Sequence, residues 1–174
     1  TAAKLREKLR PDIDAVGVFV NEAPEKIIRL VKNGTIQKVQ LHGEEDKTYI
    51  QNLKQEIGCL IVKAVQVQSG ESIRQAQTLG ADILLLDTYV KNMRGGSGQT
   101  FDLKYVPELG MPWYMAGGLT PENVAERLEE KEPYGVDISS GVETEGYKDM
   151  KKIQKFTAMV RAFEKSRAGK EDER

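Results

Sequence analysis

Residues 82–88 read Asp82-Ile-Leu-Leu-Leu-Asp-Thr88, a run of four apolar residues that ends in a carboxylate and a hydroxyl. A strand that is apolar at every position is typical of a parallel sheet with both faces covered. Similar short runs, rich in β-branched residues, recur at 16–20, 38–41, 60–67, 113–115 and 136–138. Most successive runs start about 22 residues apart, which is near the minimum for one strand, one helix and two loops. The chain is therefore a repeat of βα units.

Stretches with helical periodicity separate the strands. One begins near Pro24, with Asn21 as its predicted cap, and the last carries an apolar stripe that we expect to be buried. The stripe consists of Ile153, Phe156, Met159, Val160 and Phe163. Alternating strands and helices predict an α/β fold with a parallel sheet, either an open doubly wound sheet or a closed (β/α)₈ TIM barrel. The regular period and the polar groups at many strand ends favour the barrel.

Six units are visible, whereas a closed barrel needs eight. Residues 1–10 have the pattern of the helix of a second unit. We therefore expect one TIM-barrel domain over residues 1–174 that lacks its first strand, helix and second strand, roughly 40 residues. Residues 169–174 are expected to form a charged, flexible tail.

Composition and charge narrow the possible partners. The formal net charge is −1 with both signs interspersed, which argues against a nucleic-acid surface. No run approaches the roughly 18 apolar residues of a membrane span, so no membrane partner is expected. The single cysteine, Cys59, cannot form an internal disulfide, and this indicates a reducing compartment and a cytoplasmic location.

Barrels of this kind place their active site at the carboxyl ends of the strands. Asp87 ends its buried strand, where partial desolvation suits a carboxyl group to donate a proton, although a helix cap or a loop anchor would also explain it. His42, the only histidine, and Asp137 fall at two other strand ends. His42 could be structural instead, and Asp137 could form a salt bridge inside the barrel.

Three glycine-containing loops are candidates for binding an anion. The first is Arg94-Gly-Gly-Ser-Gly-Gln-Thr-Phe101, which includes Gly96 and Ser97. The alternative interpretation of this segment is a flexible surface loop. The other two follow the last two strands, where barrels commonly bind phosphate. Their candidate residues are Gly117, Gly118, Ser139, Ser140 and Gly141. No cluster of residues has metal-ligand spacing, so no metal is predicted, and Cys59 is interpreted as a packing residue at the opposite end of its strand.

Several segments in order along the chain resemble the phosphoribosylanthranilate isomerase family of tryptophan biosynthesis. The similar segments are Gly17-Val-Phe-Val-Asn21, Val39-Gln-Leu-His-Gly43, Leu85-Leu-Asp-Thr88, Gly95-Gly-Ser-Gly-Gln-Thr-Phe-Asp102, Ala116-Gly-Gly-Leu119 and Gly135-Val-Asp-Ile-Ser-Ser-Gly-Val-Glu143. The resemblance implies an aldose–ketose isomerase that needs no cofactor and performs an Amadori rearrangement of a phosphorylated small molecule. It implies a monomer or homodimer, alone or joined to other enzymes of the pathway.

The resemblance also assigns roles to particular residues. Asp87 matches the general acid, Asp137 a substrate-orienting aspartate and His42 a histidine that lines the site. Backbone amides around Gly117–Gly118 and Ser140–Gly141 match the phosphate site, with help from residues 95–98. The family's general base, a cysteine on its first strand, and an arginine after its second strand have no counterpart here. The chain alone is therefore expected to lack one half of its acid–base pair.

Two other interpretations are compatible with the sequence. A truncated barrel could bind phosphorylated ligands without catalysis. A different phosphate-binding barrel, such as an indole-glycerol-phosphate synthase or a ribulose-phosphate epimerase, fits less well. One histidine cannot supply the metal ligands of such an epimerase. A synthase is expected to carry catalytic lysines on its strands, and Lys63 lies on one, but the glycine loop after Asp87 does not fit a synthase.

Overall fold

The predicted strands form one parallel sheet in a computed structural model that describes residues 2–88 and 102–171. Its strands are β1 (Val16–Phe19), β2 (Lys38–Leu41), β3 (Ile61–Val67), β4 (Ile83–Thr88), β5 (Trp113–Met115) and β6 (Gly135–Val136). Each strand after β1 pairs in parallel with the one before it in the chain. An open doubly wound sheet reverses its strand order at a switch point, and this sheet has no reversal. The order is that of a barrel wall.

α-Helices lie between most of the six successive strands, before β1 and after β6, as the sequence predicts. They are α1 (Ala2–Arg6), α2 (Pro24–Lys32), α3 (Lys47–Glu56), α4 (Gly70–Gln77), α5 (Val124–Glu130) and α6 (Met150–Glu171). Short 3₁₀ helices cover Leu103–Tyr105 and Ser140–Val142, and a small hairpin pairs β7 (Glu143–Thr144) with β8 (Tyr147–Lys148). Capping fixes two of the starts, because Asp46 accepts a hydrogen bond from the Tyr49 amide and Ser69 forms a capping box with Ser72.

Side chains alternate between the two faces of the sheet, and the helices cover one of them. On the helix side, Leu84 and Leu86 of β4 pack with Phe156 of α6 in one apolar cluster. The predicted stripe of α6 is confirmed, because its other four residues pack against the same cluster. Val39 and Leu41 of β2 pack with α2 and α3 in a second cluster. The opposite face carries a smaller cluster and, at the carboxyl end, the polar residues of the site.

Strand β1 forms one edge of the sheet, and its face opposite the helices is open. Val16, Val18 and Val20 are 45%, 58% and 45% exposed. These three side chains alternate with Gly17 and Phe19, so they share one face. An apolar stripe on an edge strand is the kind of surface that a further strand or layer covers in a complete sheet.

Two local predictions need correction or a limit. Asn21 does not cap α2, because the residue before that helix is Ala23 and no side chain caps it. The Asn21 backbone has a φ of 49°, and its side chain instead accepts a hydrogen bond from the Glu44 amide. Helix α1 ends at Arg6, earlier than the 1–10 pattern suggests, and α6 continues through Glu171. Within residues 2–88 and 102–171, no helix combines the length and apolar content that a bilayer crossing requires.

Candidate active site

The carboxyl ends of β2, β4, β5 and β6 surround one cavity of about 600 Å³. It brings together eight residues selected from the sequence. These are His42, Asp87, Gly117, Gly118, Asp137, Ser139, Ser140 and Gly141. Because the sheet is parallel, the polar ends of its strands meet at one edge, which explains why residues up to about 100 positions apart converge. The predicted Gly96 and Ser97 lie outside the described residues.

Asp87 belongs to the regular part of β4 and is only 8% exposed. Its strand is held by β3, where Gln66 and Val67 face Asp87 and Thr88 in register. One carboxylate oxygen accepts a hydrogen bond from the Thr88 amide at 2.8 Å. The other, Oδ2, lies 3.6 Å from Nε2 of His42, a second residue that lines the cavity. Asp87 therefore keeps one oxygen for an incoming group, on a rigid support.

His42 is held from both ends. Its backbone amide donates to the Phe19 carbonyl at 2.7 Å, and its ring Nδ1 lies 3.2 Å from Nε2 of Gln40. If the Gln40 amide donates to Nδ1, the proton of the neutral ring is on Nε2, the atom that faces Asp87. The 3.6 Å separation from Asp87 is longer than a hydrogen bond, so both groups keep polar atoms available to a substrate in the cavity.

Asp137 lies on the same side of the sheet as Asp87, just beyond β6. Burial by the surrounding protein raises the pKa of Asp137 above its ordinary value of 3.8, and the nearby charge of Asp87 raises it further. His42 and Lys148 act in the opposite direction. Solvent still reaches the carboxyl group through the open cavity, so the loss of hydration is partial. The two aspartates form a pair in which Asp137 holds its proton more strongly than an ordinary aspartate does.

Asp137→Asn is expected to raise the midpoint of thermal unfolding at about pH 7 and to leave it unchanged at about pH 3. A raised pKa means that the folded state loses stability as the pH rises from the unfolded value of 3.8 through the folded value. Asparagine removes that loss. Melting curves of both proteins across this pH range would measure the effect. An equal difference at both pH values would show that the substitution acts through packing and not through ionisation.

Glycines allow the loops around the cavity to touch one another. Gly117 and Gly118 have φ values of 80° and 64°, which residues with side chains rarely adopt. A Cβ on Gly117 would overlap the backbone and hydroxyl of Thr88, and one on Gly141 would overlap the carbonyl oxygen of Leu119. The rim of the cavity is therefore built largely from close-packed backbone, whose amides suit an anion.

Lys148 is a site residue that the sequence patterns do not reveal. Its ammonium group donates to the carbonyl and the hydroxyl of Ser139, at 2.9 and 3.2 Å, and pairs with Glu143 at 2.6 Å. The β7–β8 hairpin brings Lys148 to this loop, and the only sequence signal for it is the turn at Glu145-Gly146, where both φ values are positive. Lys148 fixes Ser139 and adds positive charge beside the glycine rim.

Cys59 lies immediately before β3, at the opposite end of the sheet from the cavity, and packs against the second apolar cluster. Burial raises the pKa of its thiol, which disfavours the reactive thiolate form. Its interpretation as a packing residue is confirmed. Within residues 2–88 and 102–171, no group of three histidine, cysteine or carboxylate side chains could hold a metal ion.

Comparison with known proteins links this cavity to one family. Residues 1–159 match a family model described as N-(5'phosphoribosyl)anthranilate (PRA) isomerase. An N-(5'-phosphoribosyl)anthranilate isomerase of Lachnoclostridium phytofermentans is 46% identical over 168 residues, which cover 89% of this chain and 77% of that protein.

Solved structures agree with the sequence matches. The crystal structure of the Thermotoga maritima phosphoribosyl anthranilate isomerase superposes with a TM-score of 0.79 at 33% identity, covering 92% of this chain and 79% of that one. A second isomerase structure, in complex with reduced 1-(o-carboxyphenylamino)-1-deoxyribulose 5-phosphate, has a TM-score of 0.74 at 33% identity and covers 92% of this chain and 78% of that one.

Proposed function

The chain belongs to the N-(5'-phosphoribosyl)anthranilate isomerase family, and from this we propose that its cavity carries out the family's aldose–ketose isomerisation with Asp87 as the general acid. One observation carries the proposal. Asp87, His42 and Asp137 converge on a single cavity whose rim is a set of glycine loops. An enzyme that acts on a phosphorylated aminosugar needs both an acid and an anion site, and here both line the same cavity.

The reaction begins when the Asp87 carboxyl group gives its proton to the furanose ring oxygen of N-(5-phosphoribosyl)anthranilate. The bond between C1 and that oxygen breaks as the nitrogen lone pair forms a C=N bond, which leaves a protonated Schiff base. A base then removes the C2 proton, and the electrons of that C–H bond give an enolamine. Tautomerisation yields 1-(2-carboxyphenylamino)-1-deoxyribulose 5-phosphate. The position of Asp87 supports the first step, because its carboxyl group lines the cavity at the end of a rigid strand.

The substrate phosphate would lie at the glycine rim. The backbone of Gly117–Gly118 and Ser140–Gly141 lines the cavity beside the last two strands of the sheet, so its amides are available to an anion there. The 3₁₀ helix Ser140–Val142 begins beside that space, and Lys148 holds Ser139 in place by hydrogen bonds. Asp137 and His42 would then contact the hydroxyl groups of the opened sugar. Gly96 and Ser97, which lie outside the described residues, would add further contacts.

The base for C2 is a separate question. The family resemblance implies that this base is a cysteine on a preceding first strand. The matched part of this chain covers 77% of the length of the Lachnoclostridium phytofermentans isomerase. Cys59 is the only cysteine of this chain, and it lies at the wrong end of the sheet. We propose that a strand, a helix and a second strand complete the (β/α)₈ barrel, cover the exposed face of β1 and supply the base. The exposed stripe of Val16, Val18 and Val20 supports this.

We propose that the protein is a cytoplasmic enzyme that is active as a monomer or homodimer. It acts either alone or joined to other tryptophan-pathway enzymes. Its partner is the small phosphorylated substrate, and the proposed isomerisation needs no cofactor. The single free cysteine fits a reducing compartment.

Turnover is tested by adding phosphoribosylanthranilate to the full-length protein and following the loss of the substrate's fluorescence. We expect a decay that depends on enzyme concentration and gives one ketose product. Binding of the reduced product analogue without any decay would support a non-catalytic phosphate-binding barrel. Absence of both would remove the isomerase assignment.

A further inference from the structure

A buried lysine stands in the middle of an apolar strand, away from the reacting groups. Lys63 lies on β3 and is 4% exposed. Its side chain faces the helix side of the sheet, between Leu41 of β2 and Leu84 of β4 in register. A charge in that position costs free energy unless it is fully paired. The roles proposed above for the cavity make no use of it.

Lys63 is paired with a second buried charge and with backbone oxygens. Its ammonium group lies 3.3 Å from Oε2 of Glu45, which is 5% exposed. It donates to the carbonyls of Gly43 at 2.8 Å, Ala64 at 3.2 Å and Leu41 at 3.4 Å. The Glu45 carboxylate accepts from the Asn21 amide at 2.8 Å and from the Gly43 amide at 3.0 Å. The pair therefore joins the carboxyl ends of β1 and β2 to the middle of β3.

The contacts of this pair lie on both sides of His42. The Leu41 carbonyl belongs to the peptide group before His42, and Lys63 holds it. The Gly43 amide belongs to the peptide group after His42, and Glu45 holds it. There is no space for a Cβ on Gly43, which packs against Asn21. Both peptide groups that set the direction of the His42 side chain are thus fixed by one ion pair.

We infer that Lys63 and Glu45 are positioning residues that act through His42 and hold its imidazole against Asp87. This inference rests on the proposed roles of His42 and Asp87. Stability does not explain the pair well, because well-packed apolar residues in place of a buried ion pair are often as stable or more stable. The chemistry is also directional. Position 45 needs an acceptor for two amides, and position 63 needs a donor for three carbonyls, so the charges could not be exchanged.

The double variant Lys63→Met/Glu45→Gln tests the inference. It removes both charges together, and the new glutamine side chain keeps an oxygen that can accept from one of the two amides. Lys54→Met is the matched control, because Lys54 also pairs with a carboxylate, that of Asp82, at 2.5 Å, but at the opposite end of the sheet. The double variant is expected to fold with a lower unfolding midpoint than the parent, because buried backbone groups lose their partners. If it does not fold, Glu45→Gln alone is measured in the same way.

The first readout is the ring ¹⁵N signal of His42, which is unambiguous because the chain has a single histidine. In the parent and in Lys54→Met, the substitution Asp87→Asn is expected to shift this signal, since its carboxylate lies 3.6 Å away. In the Lys63→Met/Glu45→Gln background the shift is expected to fall by half or more. An undiminished shift would overturn the inference. This readout does not need turnover, so it stands apart from the proposed function.

The second readout is kinetic and uses the full-length protein. The double variant is expected to lower kcat about 10- to 100-fold with little change in KM, as small displacements of a catalytic group do. Lys54→Met is expected to keep the parental kcat. Equal kinetics for the double variant and the parent would also overturn the inference. A parent that binds the reduced product analogue without turnover would instead count against the proposed function, and the His42 signal would still decide the positioning role.

Discussion

Asp87→Asn in the full-length protein is expected to lower kcat by a factor of about 10² to 10⁴, which is the usual contribution of a positioned proton donor. Asparagine keeps the shape of the side chain and an oxygen that can accept from the Thr88 amide. It removes the acidic proton that opens the furanose ring. The ring oxygen must then leave without protonation, as an alkoxide, and this raises the barrier to the first step. Stopped-flow or steady-state fluorescence assays measure the change.

Binding should survive this substitution, since the glycine rim is unaltered. The reduced product analogue is expected to bind Asp87→Asn within a few-fold of its affinity for the parent. Asp82→Asn is the matched control. Asp82 lies just before the same strand and holds Lys54 and the Ile61 amide at the far end of the sheet. It should change stability more than kcat. A kcat for Asp87→Asn close to the parental value would remove Asp87 from the mechanism.

Gly141→Ala is expected to weaken the affinity for the substrate phosphate by about 10- to 100-fold, the equivalent of one or two hydrogen bonds to a charged group. The added methyl group would overlap the carbonyl oxygen of Leu119, which is backbone and cannot rotate away. The loops after β5 and β6 must then separate, and the backbone of Gly117, Gly118 and Ser140 no longer lines one compact rim. KM should rise much more than kcat falls, because the reacting end of the substrate is untouched.

Titration with inorganic phosphate isolates this effect from the rest of the substrate. The parent is expected to bind it as a competitive inhibitor, and Gly141→Ala to bind it measurably less well. Gly110→Ala is the control, since a Cβ at that position meets no atom within 4 Å. An unchanged inhibition constant for Gly141→Ala would place the phosphate elsewhere on the protein.

The sequence predicted the sheet well because its signals are local. Most strands are short runs rich in apolar residues, and the usual spacing of about 22 residues leaves room for only one helix between neighbours. Both ends of β2 and of β5 match the predicted runs, whereas β6 begins one residue earlier and ends two residues earlier than its run. The residues of the cavity were also predictable, because a parallel sheet gathers its strand ends at one edge whatever the loops do.

Long-range contacts explain what the sequence could not show. Asn21 has the residue type of a helix cap, but its side chain accepts a hydrogen bond from the amide of Glu44, in the loop after the neighbouring strand β2. Lys63 was visible as a charge in an apolar strand, yet nothing near it indicates that Glu45 is its partner. Lys148 reaches Ser139 only because the β7–β8 hairpin folds back. In each case the partner is set by the fold and not by spacing.

The backbone rim of the cavity has a consequence for how this enzyme can change over generations. A glycine that is already in contact can only gain atoms by mutation, so substitutions at Gly117 and Gly141 distort the rim and cannot retune it. Variation in substrate preference must then arise at positions with side chains that can be exchanged. Val20 and Ile138 line the same cavity and meet this condition. Libraries randomised at these two positions are therefore expected to yield altered selectivity, whereas libraries at the glycines should yield mostly inactive clones.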